Sequence, residues 1–282
     1  MEIYLPTEHA YALTPQVDVD TAHGRIEQKK MNLVAGMVGA LLSRPKPEEL
    51  QLISTENRLE PFWVVAASSR TVYDRAATYT VTTGWKEVRS VTLLGQDLTV
   101  VAQPKGDPVF KLAAIEHCVQ ELRIQLTFDG VTGARVDFQK YANFAKNEIS
   151  DVSIFNPEGV LLIPPHVRAT AVVRQITTEV VRPVKNAQAV HEERVDIETV
   201  DLNFRPVYAF EYEWAAKNKK VIIEFDALTG EINAGGKKLK DQIKGILTSD
   251  LLFDVTADAV GTIVPGGSIA VKLVKAVVDR NK

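Results

Sequence analysis

The sequence predicts an α+β fold: two modules in which a helix lies on an antiparallel sheet, followed by a helical C-terminal tail. Three observations predict it. Helix-length apolar stretches end at Arg-Pro pairs, at Arg44-Pro45 and Arg182-Pro183. Long runs of period-two alternation follow each pair. Short signatures of the first half also recur in the second: LEPFW at 59–63 and TTG at 82–84, then FRPVY at 204–208 and LTG at 228–230, with nearly equal spacing from proline to glycine. One unit built twice would give this order, and so would chance recurrence of prolines and turn glycines; both remain open at this point. The chain of 282 residues has room for about two domains. The boundaries read as an arm over 1–22, modules over 23–150 and 151–234, and the tail over 235–282.

The elements follow in order. Residues 23–43 read as a helix that Arg44-Pro45 stops, because a residue before proline is pushed out of the helical region. Residues 71–81, 88–94 and 98–101 read as strands, with a turn at 95–97. The segment 110–129 is ambiguous at its start and alternates clearly at Leu122, Ile124, Leu126 and Phe128, whereas 136–144 reads as helix. A second helix spans 164–181, with Pro165 at its first position, where a missing N–H costs nothing. Residues 195–202 alternate as a strand, and Asp196, Glu198 and Asp201 fit its solvated face. Tyr208, Phe210, Tyr212 and Trp214 share one face of the next strand. Residues 217–220 connect it to Val221, Ile223 and Phe225, and a turn at 226–230 closes the hairpin.

That hairpin, PVYAFEYEWAAKNKKVIIEFDALTGEI over 206–232, resembles the PepSY module. Tyr208, Phe210 and Trp214 match its first strand, 221–225 its second, and Asp226, Ala227, Thr229, Gly230 and Glu231 its closing turn. The resemblance implies the hairpin geometry and a binding or inhibitory role toward proteins, and it transfers no catalytic residue.

Composition excludes several classes. Hydrophobic residues make up 45% and charged residues 24%, an ordinary globular mixture that is neither low-complexity nor wholly disordered. A net charge of −3 offers no global basic field to nucleic acid. One cysteine excludes an intramolecular disulfide framework. The longest uncharged apolar runs, 31–43 and 259–271, fall short of the roughly 18 to 20 residues of a spanning helix. The opening residues carry carboxylates but no Lys or Arg, and read as an uncleaved arm rather than a secretory signal. A cytoplasmic protein with reduced Cys118 is expected.

No residue pattern calls for catalysis, a metal or a cofactor. His117 and Cys118 are adjacent, so on a strand they point to opposite faces. His9, His23, His117, His166 and His191 lack the spacing that sets two ligands on one face. The glycine-rich 230–238 lacks the lysine and hydroxyl order of a phosphate loop. The row Tyr208, Phe210, Tyr212, Trp214 packs under the second module's helix or, as the rival reading, lines a small-molecule pocket.

The tail carries 8 Lys and Arg against 5 Asp and Glu. It reads as helices over 239–248, 251–263 and 268–280. In the last, Lys272 and Lys275 belong to a narrow polar stripe, while Ile269, Leu273, Val274 and Val277 are apolar and need a burial partner. That partner is the core, a second copy or other protein, or, less favoured, a membrane surface. The expected function is non-enzymatic protein binding or assembly with the tail mediating oligomerisation or attachment. The alternative is a carrier or enzyme using the aromatic face.

Overall fold

The computed structural model describes residues 1–35, 45–236, 252–255 and 272–275. One large mixed sheet of ten strands dominates it, which overturns the expectation of two separate helix-on-sheet modules. The reason lies in two strands far longer than the sequence segmentation allowed. β3 runs without interruption over Leu50–Thr82, and β9 over Ala187–Trp214. They pair antiparallel from Leu50 opposite Trp214 to Arg75 opposite Ala187, and fuse what read as two units into one layer.

The remaining strands build outward from this pair. β6 (Val109–Asp129) lies antiparallel to β3 over its whole length, and β10 (Lys219–Asp226) forms the expected hairpin with β9. β1 (Glu2–Leu5) and β2 (His9–Leu13) lie parallel to β9, so the predicted N-terminal arm is part of the sheet. β7 (Lys146–Glu148) pairs with β2, β8 (Leu161–Leu162) with β3, and β11 (Ile232–Ala234) with β10. β4 (Ser90–Leu93) and β5 (Gln96–Thr99) form a separate hairpin.

Lys272–Lys275 is a strand, β12, parallel to β1 with Glu2 beside Lys272. A terminal helix over these four residues is therefore incorrect. Short alternating stretches read equally well either way, and an otherwise unpaired edge beside β1 selects the strand. Ile269 and Val277 lie outside the described residues, as do the predicted helix at 239–248, residues 251 and 256–263 of the predicted helix at 251–263, and residues 36–43 of the first predicted helix. The segment 136–144 holds only a single 3-10 turn at Gln139–Tyr141, not a helix.

Helices cover one face of the sheet, two of them described from end to end. α1 (Val19–Glu27) starts at Asp18, whose carboxylate accepts from the Thr21 amide at 2.8 Å. α2 (Ala169–Val180) buries Ala169, Val172, Val173, Ile176 and Val180, the spacing of a single helical stripe. They pack against alternate residues of the same strand: α2 over Leu202 and Phe204, α1 over Tyr208, Phe210, Tyr212 and Trp214.

Each helix is anchored by a corner of the same design. Asp129 Oδ1 accepts from the amides of Val131 and Thr132, at 3.0 and 2.7 Å, and Asp226 Oδ1 accepts from those of Leu228 and Thr229, at 2.9 and 3.0 Å. Gly133 and Gly230 close the two turns with φ of +74° and +77°, a region that favours glycine. The Gly130 amide then donates to the Pro61 carbonyl and the Ala227 amide to the Pro206 carbonyl. Trp63 Nε1 donates to the Val167 carbonyl at 3.0 Å, just as the Tyr208 hydroxyl donates to that of Val17 at 2.9 Å.

Proline inside a central strand would leave a ladder position without a donor. Here Pro61 sits where the neighbour of β3 changes from β8 to β6, and Pro206 where that of β9 changes from β2 to β10. The alignment of TTG at 82–84 with LTG at 228–230 needs correction. Thr83 and Gly84 follow the far end of β3, and the counterpart of the Asp226 turn is the one at Asp129.

Candidate functional site

β3 and β6 continue past the helices as a ribbon. β9 leaves them after Arg75, so Ala76–Thr82 has only β6 beside it, and beyond lies the β4–β5 hairpin. Its turn places Leu94 and Gly95 at φ of +52° and +76°, the pair of left-handed residues that a tight hairpin turn requires. Leu94 is 96% exposed and Trp85, at the base of the tip, 74%. Side chains this exposed contribute little to the fold and are available to a partner.

The ribbon face away from the helices is knitted by ions. Arg70 reaches Glu121 at 3.1 Å and Glu192 at 2.7 Å, and Arg123 reaches Glu198 at 2.7 Å. Asp74 accepts from His117 through one oxygen and from His191 through the other, at 2.7 and 2.8 Å. Those bonds, His191 first, hold the Asp74 carboxyl below its ordinary range. Between the charges, Ile115 and Val119 stand 60% and 56% exposed.

Among the described residues, the outer edge of β6 is capped at both ends and open between. At one end Val109 exchanges both backbone bonds with Val101, at 2.7 and 2.9 Å. At the other, the Thr127 carbonyl accepts from Val136 and the Asp129 amide donates to Ala134. These bonds show that odd-numbered residues turn their backbone groups outward. The ladder to β3 has no register shift, so the same holds for Lys111, Ala113, Ile115, His117, Val119, Glu121, Arg123 and Gln125. Among the described residues, no backbone group meets theirs.

A second polar cluster sits where the two long strands cross the corners. Arg205 bridges Glu60 at 2.6 Å and Asp226 at 3.2 Å, and the Tyr141 hydroxyl donates to the same Asp226 carboxylate. Burial, then the bond to Asp226, raises the Tyr141 pKa and keeps its phenol protonated. Burial also raises the Glu60 pKa, against the pull of Arg205. Next to it Arg58, 1% exposed, donates to Glu56 through Nε and Nη2 at 2.9 and 2.7 Å, and to Glu224 at 3.2 Å. Among the described residues, Glu56 Oε1 is buried without a hydrogen-bond partner. These charged pairs tie β3, β9 and β10 together across the sheet.

The aromatic row proposed from sequence is in the core. Tyr208, Phe210, Tyr212 and Trp214 are at most 5% exposed, clustered with Ala22 and Ile26 of α1. Their polar atoms are spent as well: Tyr212 donates to Glu27 at 2.7 Å and Trp214 to Glu49 at 3.1 Å. Burial, then the bond to Glu27, raises the Tyr212 pKa. Among the described residues, α1 packs directly on these rings and leaves no ligand pocket between them.

Of the tail residues singled out, Lys272, Leu273, Val274 and Lys275 lie in β12, and Val274 is half-buried. His117 and Cys118 do point to opposite faces: His117 is exposed on Asp74, while Cys118 is half-buried. Among the described residues no three His, Cys, Asp or Glu side chains are placed to hold a metal. Nor is any described helix long and apolar enough to cross a membrane.

Sequence reasoning missed Trp85, Leu94, Ile115 and Val119. The available signal was the alternation of 109–129, which leaves apolar residues on both faces of one strand. No protein-family model matches this chain, and comparisons with curated proteins and with solved structures found no match.

Proposed function

We propose that this protein is a non-enzymatic binding or assembly protein whose contact element is the β3–β6 ribbon with its β4–β5 tip. One observation carries the reading: a ribbon that runs beyond the helices presents exposed Trp85 and Leu94 at its end and an open strand edge along its side. Exposed edges are templates for pairing, and folds that do not use them shorten, twist or cover them. Tryptophan recurs at the energetic centres of interfaces, because its ring buries a large area for few rotatable bonds. The likeness of the 206–232 hairpin to PepSY modules supports a binding role, through a different surface from the aromatic row first considered. Of the described tail residues, Lys272–Lys275 lie along β1 in the sheet and Leu252 and Val255 are buried in the core, which leaves the ribbon as the most prominent projecting element among the described residues.

The test is site-specific photo-crosslinking in the cells the protein comes from, with benzoylphenylalanine at position 85 or 94 and, as a control, at exposed position 29. Discrete protein adducts from 85 and 94 that are absent from 29 are expected. Equal adducts from all three positions, or none from the tip, would overturn the reading.

A further inference from the structure

We infer that the open edge of β6 pairs with β6 of a second copy of this chain, antiparallel across a two-fold axis at Val119. The inference rests on the ribbon being the contact element, and it names the partner of its side edge.

The backbone sets the first condition. The open run extends from Lys111 to Gln125 between its two caps, and every outward residue in it is odd-numbered. Two such edges join by setting odd residues opposite odd residues, each pair exchanging two hydrogen bonds. This geometry keeps each face continuous across the joint and sets the axis perpendicular to the sheet, so one strand serves both copies as a self-complementary surface.

Charge and length together select the register: joints centred on 116 and 122 also oppose unlike charges, but they pair only 111–121 and 119–125, shorter stretches than the 113–125 of a joint at Val119. Joints centred on 117, 120 or 121 oppose Lys111 to Arg123, His117 to Arg123, or Glu121 to itself. A joint centred on 118 opposes Ile115 to Glu121. Centring on Val119 sets His117 against Glu121 of the second copy, twice by symmetry, with Ile115 against the stem of Arg123 and Val119 against itself. Opposite charges and apolar side chains facing across a ladder stabilise it, whereas like charges directly opposite oppose it. The exposed apolar residues of this face, Ile115 and Val119, thus fall at and beside the axis.

The paired segment, 113–125, ends short of Thr127, where Val136 already occupies the lane. The joint extends a ribbon of three strands, β9, β3 and β6, to six. It gives the 33-residue β3 a reason to continue past the helices that cover its first half.

The test uses the full chain, with light scattering during size exclusion from about 1 to about 100 μM, a range that brackets the μM dissociation constants of modest interfaces. Wild type is expected to move from the monomer mass to twice that mass. Val119→Pro removes one outward N–H, a position where an edge strand accepts proline, so its melting should stay unchanged while the dimer is lost. His117→Glu should weaken the dimer at least tenfold, and adding Glu121→Lys should restore it. A wild type that stays monomeric at the highest concentration would overturn the inference, as would a Val119→Pro variant that is folded and still dimeric. Failure of the charge swap to restore the dimer would overturn the register. A monomer that still gives adducts at positions 85 and 94 would end the self-pairing while leaving the ribbon as the contact element.

Discussion

The two halves of β3 have the same backbone and opposite surroundings. From Arg58 to Ser69 it lies inside the body: Phe62, Trp63, Val65 and Ala67 are buried, β9 runs along one edge and β8 and then β6 along the other, and the Asp129 corner clamps it at Pro61. From Arg70 to Thr82 it loses the helices, then β9, and ends as one strand of a two-stranded ribbon held by surface ion pairs. Burial and hydrogen bonding concentrate stability in the first half, because a surface ion pair is worth at most about 1 kcal/mol. The second half is left free to make contacts with something else.

Substitutions at matched positions test this contrast, and the largest effect belongs to the body. Trp63→Ala should cost about 3–5 kcal/mol in chemical denaturation, since it empties a buried site and leaves the Val167 carbonyl without its donor. Asp226→Asn should cost about 2–3 kcal/mol, because the buried carboxylate serves Tyr141 and Arg205 as well as its turn. Asp129→Asn should cost less than about 1 kcal/mol, since its carboxylate holds only the turn. A ratio near one between these two aspartates would show that the polar cluster adds nothing to the second corner.

Gly130→Ala should cost about 1–3 kcal/mol, because a Cβ there meets the Pro61 backbone at 2.8 to 2.9 Å and the strand must shift. The other corner carries Ala227 at the matching position, so Ala227→Gly should move stability by only about 1 kcal/mol. Trp85→Ser on the ribbon should change stability by no more than about 0.5 kcal/mol while removing the tip's contact surface.

The smallest expected effect has a sign. Asp74 is held below its ordinary pKa by His191 and His117. Its contribution is therefore present above the ordinary carboxylate range and is lost as pH falls through its depressed pKa. Melting of wild type and Asp74→Asn, measured against pH, should differ near neutrality and converge at acid pH. Divergence toward acid pH would contradict the ion pairing seen on this face.

Local signals made part of this architecture legible in the sequence. The hairpin from Tyr208 to Phe225 shows as alternation closed by an Asp-to-Gly turn, and α2 as an apolar stripe before Arg182-Pro183. The pairing of β3 with β9 was not legible, because it joins residues such as Pro61 and Phe204, and a single sequence does not record which strands meet. Read without that partner, each long strand looked like several short ones, and the sheet looked like two modules. The aromatic row was visible as a row, but its burial depends on α1 crossing from earlier in the chain. The open edge was hidden for a related reason. Which backbone groups of β6 point outward follows only from the caps at Val109 and Thr127, whose partners lie in irregular segments.

Hydrogen exchange along β6, followed residue by residue over a concentration series, tests most directly whether a sealed body carries an open edge. At low concentration the amides of the odd-numbered residues from 113 to 125 should exchange freely, while their even-numbered neighbours, bonded to β3, stay protected. At high concentration the odd amides should gain protection together, centred on Val119. Odd and even amides equally protected at every concentration would mean that the edge is already closed within one chain and would contradict the account.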